Sequence, residues 1–359
     1  MLSALCDGIE NKKRVIVREM ERREATALVL PPVYDRKLAG EFRQRLKKAE
    51  ESDVLGTVWD YVKKVEPHTL VIHFYKNSVL SLLGRIWKRT DIDPADKQVD
   101  INDARILSLV NDAKELGIND ADLWGNIHGR AGIPELEGEV FSKLNQSVRP
   151  KDTEEFTALT ALALIPELWV NYAEKEVNDG KELSDIVIFR EDLYQRLLGS
   201  GLDHTDAFKI MEFVRSGRAL GREYHGSDFK KNVEMWAGYR RILEEKQVPE
   251  ELIGLCEKIR YMFPRDSARV YASDFLRLLW YKFYRREAFY EAWVVEHYED
   301  IDNCSDDISE AAKGEFYVKT WFYEHCDKDS EFSSKLPVMR VMQEMQLRDY
   351  EVTEWIDAN

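Results

Sequence analysis

The stretch Asp206-Ala-Phe-Lys-Ile-Met-Glu-Phe-Val-Arg-Ser-Gly217 carries the strongest helical pattern of the sequence. Its apolar residues recur every three positions, which places their side chains on one face of a helix, and we expect that face to be buried. The residues of this inner face are Phe208, Met211 and Val214. Asp203 or Thr205 is a suitable N-cap, and Gly217 suits the left-handed residue that ends a helix. The pattern therefore predicts a capped amphipathic helix.

Helical periodicity continues on both sides of this segment. We predict further helices at 36–50, 101–116, 156–168, 249–259, 268–283, 309–325 and 335–347. His68 to Tyr75 alternates instead and is rich in β-forming residues, and Pro67 marks the start of this predicted strand. Further core candidates are Ile259, Tyr261, Phe263 and Trp280. The expected fold is mainly α, a helical array with a small β element near residues 68–75.

The bulk composition is that of a globular protein without a membrane anchor. Of the 359 residues, 44% are hydrophobic and 33% are charged, which supplies enough apolar material for a core and argues against disorder. No apolar run reaches the thickness of a bilayer, and the N-terminus lacks the apolar core of a signal peptide. We therefore expect a cytoplasmic protein with no membrane partner.

The cysteines and the charge distribution argue against several kinds of site. The four cysteines stand far apart without a CxxC pair: Cys6, Cys256, Cys304 and Cys326. Neither a zinc ribbon nor a disulfide framework is indicated, and a metal site at Cys304, His325 and Cys326 lacks a fourth ligand. We predict reduced thiols, no metal and no cofactor. Most of the net charge of −15 lies after residue 290, and this acidic tail is either a solvated surface or a mimic of DNA charge.

Two segments carry a resemblance to a known family. Asp206 to Gly217 looks like a motif built around A-F-K-I-M-E, and Val248-Pro249 through Cys256-Glu-Lys-Ile-Arg-Tyr-Met-Phe-Pro264 looks like V-P-x-W-Y-I-x-S-C-K-K-I-K-Y-M-F-P. Both motifs are those of the C-terminal half of the PolC-type bacterial DNA polymerase III alpha subunit, the first in its fingers. Weaker similarity extends the resemblance over residues 66–359, in the segments 132–135, 183–192 and 336–350.

The resemblance implies the end of a polymerase palm followed by helical fingers. It divides the chain into four parts: an N-terminal helical segment of unknown role (1–65), a region like the palm end and the base of the fingers (66–150), a fingers-like helical domain (151–300) and an acidic C-terminal helical tail (301–359). The family's exonuclease, most of its palm and its helix-hairpin-helix element have no counterpart in the sequence.

The metal-binding acids of the polymerase are missing from the resemblance. Nucleotidyl transfer needs two divalent ions held by carboxylates. The family's D-x-D pair has no counterpart, and its third aspartate aligns with His73. A neutral imidazole cannot replace a carboxylate that bridges two magnesium ions, so we predict no catalytic residue of that type. His73 is either a catalytic base of another kind or, as we favour, a packing residue of the strand.

The positions that would grip a nucleotide have also changed. The basic position in the helix after the family's G-I-P-E-F loop falls on Ser142, and its S-G-L-S-H-G-T-D-V-W stretch reads Thr160-Ala-Leu-Ala-Leu-Ile-Pro-Glu-Leu-Trp169. Asp266 beside Arg265 weakens a triphosphate site by repelling the ligand's charge. The remaining candidates for binding nucleotide or nucleic acid are Arg190, Lys209, Arg215, Arg218 and Arg265.

The region from 209 to 241 is locally basic, with aromatic residues between its cations. The further cations are Arg222, Lys230, Lys231, Arg240 and Arg241, and the aromatic residues are Tyr224, His225, Trp236 and Tyr239. Aromatic rings beside cations are typical of a surface that binds single-stranded DNA. A solvated helical face with acidic partners fits the same pattern, and we favour it. The cations of 282–286 are similarly interpreted as a charged helix end.

These observations lead to the hypothesis of a non-catalytic relic of a PolC-type polymerase. It would act as a binding or regulatory protein in DNA replication, encoded by a phage or another mobile element, with a replisome protein or single-stranded DNA as its partner. Two alternatives stay open: the fingers subunit of a split DNA-directed DNA polymerase, and an inhibitor of the host replicative polymerase. The histidine at position 73 argues against the split enzyme, because the acid should lie within this chain.

Overall fold

The chain folds as two compact units, Met1–Ser78 and Val79–Asn359. The computed structural model describes residues 16–20, 25–30, 70–75, 77–119, 122–123, 128–223, 229–304, 308 and 332–352. The described part is mainly helical, as the periodicity predicted. The four-part division made on the resemblance stays a prediction.

The first unit contains a three-stranded antiparallel sheet. Strands β1 (Ile16–Met20), β2 (Ala25–Leu30) and β3 (Leu70–Tyr75) pair in the order β1-β2-β3. Strand β3 confirms the predicted β element. The structure differs from the helix expected for residues 1–65, because β1 and β2 lie within that segment. Both strands contain the β-branched residues that favour extended backbone. The predicted helix 36–50 lies outside the described residues.

The second unit is built from helices joined by short turns. In chain order they are α1 (Ser78–Thr90), α2 (Ala104–Asn111), α3 (Glu139–Val148), α4 (Thr153–Leu164), α5 (Pro166–Asn178), α6 (Arg190–Gly199), α7 (His204–Val214), α8 (Phe229–Glu245), α9 (Glu250–Cys256), α10 (Arg265–Tyr284), α11 (Arg286–Glu296), α12 (Tyr298–Asp302) and α13 (Phe332–Leu347). Short 3-10 turns lie at Lys114–Leu116, His128–Arg130, Leu183–Asp185 and Arg218–Glu223.

Local side-chain chemistry sets the helix ends. The Asp203 carboxylate accepts hydrogen bonds from the first-turn amides of α7, which confirms the predicted N-cap. The predicted helix 101–116 is shorter in the structure, because Asp112 takes an extended conformation and its carboxylate accepts from the amide of Lys114 instead. Pro166 divides the predicted helix 156–168 into α4 and α5, since proline cannot continue a helix without losing a backbone hydrogen bond. The predicted helix 309–325 lies outside the described residues.

The core centres on α10, which packs most extensively against α4. Phe156 and Leu159 of α4 and Phe275 and Leu279 of α10 are all buried. Burial of such side chains contributes about 1.5–3 kcal/mol each, so this pair of helices is a main source of stability. Among the described residues, no single helix has both the length and the apolarity to cross a membrane; α4 and α5 together pass that test but are bent by 100°.

Two aromatic residues predicted to lie in the core are on the surface. Phe208 is 55% exposed and Tyr261 is 40% exposed. The buried face of α7 is formed instead by Ala207, Ile210, Met211, Phe213 and Val214. Phe208 lies outside this face, because residues three apart differ by about 60° around a helix with 3.6 residues per turn. The prediction of the inner face was therefore wrong at Phe208, and that of the core was wrong at Tyr261.

Gly217 ends the segment after α7 in a conformation that glycine alone adopts easily. Its φ is 75°, and a Cβ atom there would lie 2.6 Å from the carbonyl oxygen of Arg260. Gly180 has a similar φ of 88°, yet a Cβ atom there would meet nothing within 4 Å. The left-handed end of α7 was predicted from the sequence, and the structure adds the reason why no side chain fits.

We expect Gly217→Ala to be clearly more destabilising than the matched change Gly180→Ala. Each variant bears the cost of a left-handed alanine, about 1–2 kcal/mol, and only Gly217→Ala adds the clash with Arg260. Urea denaturation of both variants measures the free energy of unfolding. Equal losses in the two variants would show that the contact with Arg260 is easily relieved.

Candidate functional site

Three of the five predicted basic residues come together at the ends of three helices. Arg190 begins α6 and Arg265 begins α10, while Arg215 follows the last residue of α7. The extended segment before α10 joins them through its backbone. The amide of Arg190 donates to the carbonyl of Phe263 at 3.1 Å, and the amide of Met262 donates to the carbonyl of Arg215 at 3.1 Å. We call the cluster of Arg190, Arg215 and Arg265 the arginine site.

Acidic side chains already pair with two of these arginines through one carboxylate. Glu212 accepts hydrogen bonds at its Oε1 atom from Arg190 Nη1 at 3.2 Å and from Arg215 Nε at 2.8 Å. Arg190 Nε also donates to Glu191 at 2.9 Å. The hydrogen bond from Arg215 holds the pKa of Glu212 below its ordinary value, so the carboxylate is charged at neutral pH.

Arg265 makes an ion pair, a cation–π contact and a backbone hydrogen bond with residues at the start of α6. Its guanidinium pairs with Asp192 and lies 4.2 Å from the ring centroid of Phe189, and its backbone amide donates to Glu191 Oε2 at 2.8 Å. Cation–π contact and ion pairing fix the orientation of the side chain. A triphosphate would have to displace these carboxylates or bind beside them. The arginine site is therefore an ionic network in which each guanidinium is paired with a carboxylate, while 27–32% of each arginine side chain stays exposed.

The other two predicted basic residues lie apart from this network. Lys209 is exposed on α7, and Arg218 is exposed at the start of the 3-10 turn Arg218–Glu223. Neither makes an ion pair with a carboxylate of the described residues. They remain accessible to a charged partner, but two separate cations do not make a nucleotide pocket.

The aromatic residues of the basic middle region are structural where the structure describes them. Trp236 is buried, its ring is parallel to that of Phe213 with centroids 6.4 Å apart, and its Nε1 donates to Glu257 at 2.8 Å. Arg240 donates to Glu244, Glu250 and Glu257 at 2.9, 2.6 and 2.7 Å. Arg240 therefore has acidic partners, as expected of a solvated face, whereas Lys230, Lys231 and Arg241 are exposed and make no ion pair with a described carboxylate. Tyr224 and His225 lie outside the described residues.

The backbone of His73 lies in the middle of β3, paired with Ala27 of β2. This strand position is consistent with the alignment that places His73 at the polymerase aspartate, while its chemical role stays a prediction. Within the described part of the chain, no group of three or more histidine, cysteine or acidic residues is arranged to hold a metal ion. Both described cysteines, Cys256 and Cys304, are buried.

Ser142, at the family's basic position, is buried beside an arginine from another part of the chain. Arg130 Nη2 donates to Ser142 Oγ at 3.4 Å, and Arg130 Nη1 donates to the carbonyl of Leu136 at 3.0 Å. The guanidinium lies 5.0 Å from the ring centroid of Phe141. A cation therefore lies next to this helix after all, but it is fully buried and serves the packing of the loop before α3. No sequence motif singled out Arg130.

A buried ionic cluster, also missed from the sequence, joins α10, α11 and α13. Lys282 and Glu344 are both inaccessible to solvent, with Lys282 Nζ 2.6 Å from Glu344 Oε1. The same Nζ donates to the carbonyls of Gly129 and Ala131 at 2.9 and 2.6 Å. Tyr290 donates to Glu344 Oε1 at 2.6 Å. Burial lowers the pKa of Lys282, and the Glu344 carboxylate opposes that shift.

The sequence contained one signal for this cluster. Lys282 follows Leu279 by three residues and Leu278 by four, so it lies on the buried face of α10 and not at a charged helix end. Arg348 extends the cluster, since its Nη1 donates to the Tyr290 hydroxyl at 3.0 Å. The prediction of 282–286 as an ordinary charged helix end was wrong at Lys282.

Comparison with known proteins gives a consistent set of relatives. No family model matches the chain. It is 26% identical over 252 residues to the PolC-type DNA polymerase III of Clostridium perfringens, and 29% identical over 265 residues to that of Thermotoga maritima. The corresponding protein of Bacillus subtilis is 27% identical over 257 residues. The chain is a distant homologue of PolC-type DNA polymerase III.

The similarity covers most of this chain and a small part of each polymerase. The matched regions make up 70%, 73% and 70% of the chain, but only 16%, 18% and 17% of the three PolC-type proteins. The chain thus spans about one sixth of the length of these relatives. The resemblance first carried by the motifs at 206–217 and 248–264 is confirmed, while the activity of a whole PolC-type polymerase does not follow from it.

We expect a double-mutant cycle at Lys282 and Glu344 to give a large coupling energy. Lys282→Met leaves a buried carboxylate without its cation and should cost about 3–5 kcal/mol, and Glu344→Met should cost a similar amount. The double variant should lose much less than the sum, since neither charge is then left unpaired. Chemical denaturation provides the four free energies of unfolding.

The exposed pair of Lys143 and Glu139 serves as the control for this cycle. Lys143 Nζ lies 2.6 Å from Glu139 Oε1, but both side chains are largely in solvent. Its coupling energy should be below about 1 kcal/mol. Additive losses at Lys282 and Glu344 would mean that the two charges do not depend on each other.

Glu137 should make the stability of the protein fall as pH rises towards neutral. The residue is half-buried, and desolvation of its carboxyl raises the pKa to about 7 although the Gly132 amide donates to it at 3.2 Å. A carboxyl with a raised pKa stabilises the folded state below its unfolded pKa, and this contribution is lost as pH rises through about 7. Arg340, Lys282 and Glu344 are the charged groups near it.

The variant Glu137→Gln should flatten the stability profile between pH 5 and 8 by about 2 kcal/mol, allowing for partial exposure. The exposed neighbour Glu139 provides the matched control, because Glu139→Gln should leave that slope unchanged. Denaturation midpoints of the wild type and both variants, measured across this pH range, give the slopes to compare. An unchanged slope in Glu137→Gln would assign the titration to another group.

Proposed function

We propose that this chain is a non-catalytic relative of PolC-type polymerases that acts in the cytoplasm as a binding or regulatory protein in DNA replication. The observation that carries the proposal is that all three arginines of the arginine site are paired with carboxylates. The cations at 190, 215 and 265 are engaged by Glu212, Glu191 and Asp192, and so are not free to neutralise a nucleotide's phosphates. A phage or another mobile element is the source that we propose for this chain.

The alignment at His73 supports the same proposal. A polymerase positions two magnesium ions with carboxylates, because these hard oxygen ligands both bind the ions and offset their charge. An imidazole at the third acidic position removes one ligand shared by both ions. The sequence also lacks a counterpart of the D-x-D pair, so no step of nucleotidyl transfer is assigned to this chain.

A protein of the replisome is the partner that we favour. The net charge of −15 disfavours phosphate backbones, and Arg190, Arg215 and Arg240 are paired with acidic side chains. Five cations of this region are exposed and make no ion pair with a described carboxylate: Lys209, Arg218, Lys230, Lys231 and Arg241. Single-stranded DNA is therefore the second possibility, and it depends on these five residues.

Primer extension with the purified chain tests the absence of catalysis. We expect no synthesis with magnesium or manganese, and none from His73→Asp, because restoring one acid leaves the other two absent. The PolC-type polymerase of Bacillus subtilis is the positive control. Synthesis by the wild-type chain would overturn the proposal.

Binding experiments distinguish the partners. Fluorescent single-stranded DNA should bind weakly or not at all at low salt. Changing Lys209, Arg218, Lys230, Lys231 and Arg241 together to alanine should abolish any salt-dependent binding that is seen. Co-purification of a replisome protein without synthesis supports a regulator. Recovery of a chain that carries the missing acids, together with restored primer extension, would instead establish a split polymerase.

A further inference from the structure

An open apolar pocket lies between α3, α4 and α10, apart from the arginine site and from the Lys282–Glu344 cluster. Its volume is about 250 Å³. The side chains that form its walls include Leu136, Phe141, Thr160, Ala163, Leu164 and Phe275. Phe141 and Phe275 are buried in the core, so the floor of the pocket is part of the rigid packing of α4 on α10.

The size and chemistry of the pocket favour one large apolar side chain as its occupant. Pockets for cofactors and drug-sized ligands are usually about 300–1,000 Å³, and this one is smaller. Val140 at its mouth is 45% exposed and extends the apolar surface outwards. Interfaces between proteins commonly place an aromatic or aliphatic anchor in a pocket of this kind.

Two carboxylates stand at the mouth of the pocket. Glu135 is an exposed non-glycine residue held at a φ of 68°, and no cation of the described residues pairs with its carboxylate. Glu139, at the start of α3, is paired with Lys143 in solvent. An uncompensated carboxylate beside an apolar pocket attracts a cation and repels phosphate, which argues for a basic peptide and against nucleic acid.

The sequence gives an independent reason to connect the pocket with a difference in function between this chain and the polymerase family. Thr160, Ala163 and Leu164 belong to the stretch where the polymerase family has the small polar turn S-G-L-S-H-G. In this chain the family's second serine and its histidine are aliphatic, and these aliphatic side chains line the opening. The polar group has therefore been replaced by apolar surface that faces solvent at a pocket.

From these observations we infer that the pocket between α3, α4 and α10 binds one large apolar side chain of a protein partner whose neighbouring residues are basic. The inference rests on the proposed function, since it assigns the surface through which a regulatory protein meets its partner. The carboxylate of Glu135 selects the basic flank, and the pocket selects the anchor.

The test uses a random peptide library displayed on phage and selected against the full chain. The enriched peptides should share a leucine, phenylalanine or tryptophan next to lysine or arginine. Ala163→Leu fills the pocket and should weaken a synthetic peptide of the consensus sequence at least about tenfold. The matched control Ala237→Leu, on the exposed face of α8, should bind as the wild type does.

Two further variants keep the test decisive. Val140→Ser changes only the exposed mouth and replaces Ala163→Leu if that variant fails to fold. Glu135→Gln should weaken binding severalfold at low salt and reduce its salt dependence. Failure to enrich any peptide, a consensus with acidic flanks, or undiminished binding to the filled pocket would overturn the inference.

The outcome is separable from that of the proposed function. Primer extension reports on catalysis and does not depend on Ala163, whereas peptide binding reports on the pocket whether or not the chain synthesises DNA. Displacement of the selected peptide by single-stranded DNA would also count against the inference, since it would assign the surface to nucleic acid.

Discussion

The buried ion pair of Lys282 and Glu344 constrains the arrangement of the second unit. Taking either charge out of water costs several kcal/mol, and only the other charge and well-placed hydrogen bonds offset that cost. Lys282 lies on α10 and Glu344 on α13, so the C-terminal helix has to be docked for the core helix to be stable. The carbonyls of Gly129 and Ala131 complete the coordination of the ammonium group, which ties the loop before α3 to the same point. The last described helix is therefore an integral part of the fold.

Ionic contacts elsewhere in the unit have the same structural character. At the arginine site, Arg190 and Arg265 pair with carboxylates from a neighbouring helix, and Arg215 pairs with Glu212 of α7, the helix that it follows. Arg130 is buried against Phe141 and the carbonyl of Leu136. The charges of Arg190 and Arg265 thereby stabilise contacts between helices. This use of charge supports the proposal that this distant homologue of PolC-type polymerases does not bind a nucleotide at the arginine site.

The sequence predicted the positions of helices and strands better than the burial and the partners of their side chains. Capping and periodicity are local properties, and they identified α7, α10 and α13 as well as the strand at 70–75. Phe208 and Tyr261 were placed inside wrongly, because a spacing of three residues defines the edge of a helical face poorly and because burial depends on neighbours from other helices. Lys282 was missed for a related reason. Its partner lies 62 residues away, and only a fold that is already known shows that the two meet.

The apolar pocket and the arginine site support the same proposed partner for different reasons. The pocket favours an apolar side chain, and the paired arginines disfavour phosphate. A protein that had kept its affinity for nucleic acid would be expected to leave its cations accessible and its surface polar near them. This chain pairs its clustered arginines internally, places aliphatic side chains where the family has a polar turn, and leaves Glu135 beside the opening. Each change lowers the affinity for phosphate, and the second also raises the affinity for an apolar side chain. These three features support the proposal that the partner is a basic protein segment with an apolar anchor, in preference to single-stranded DNA.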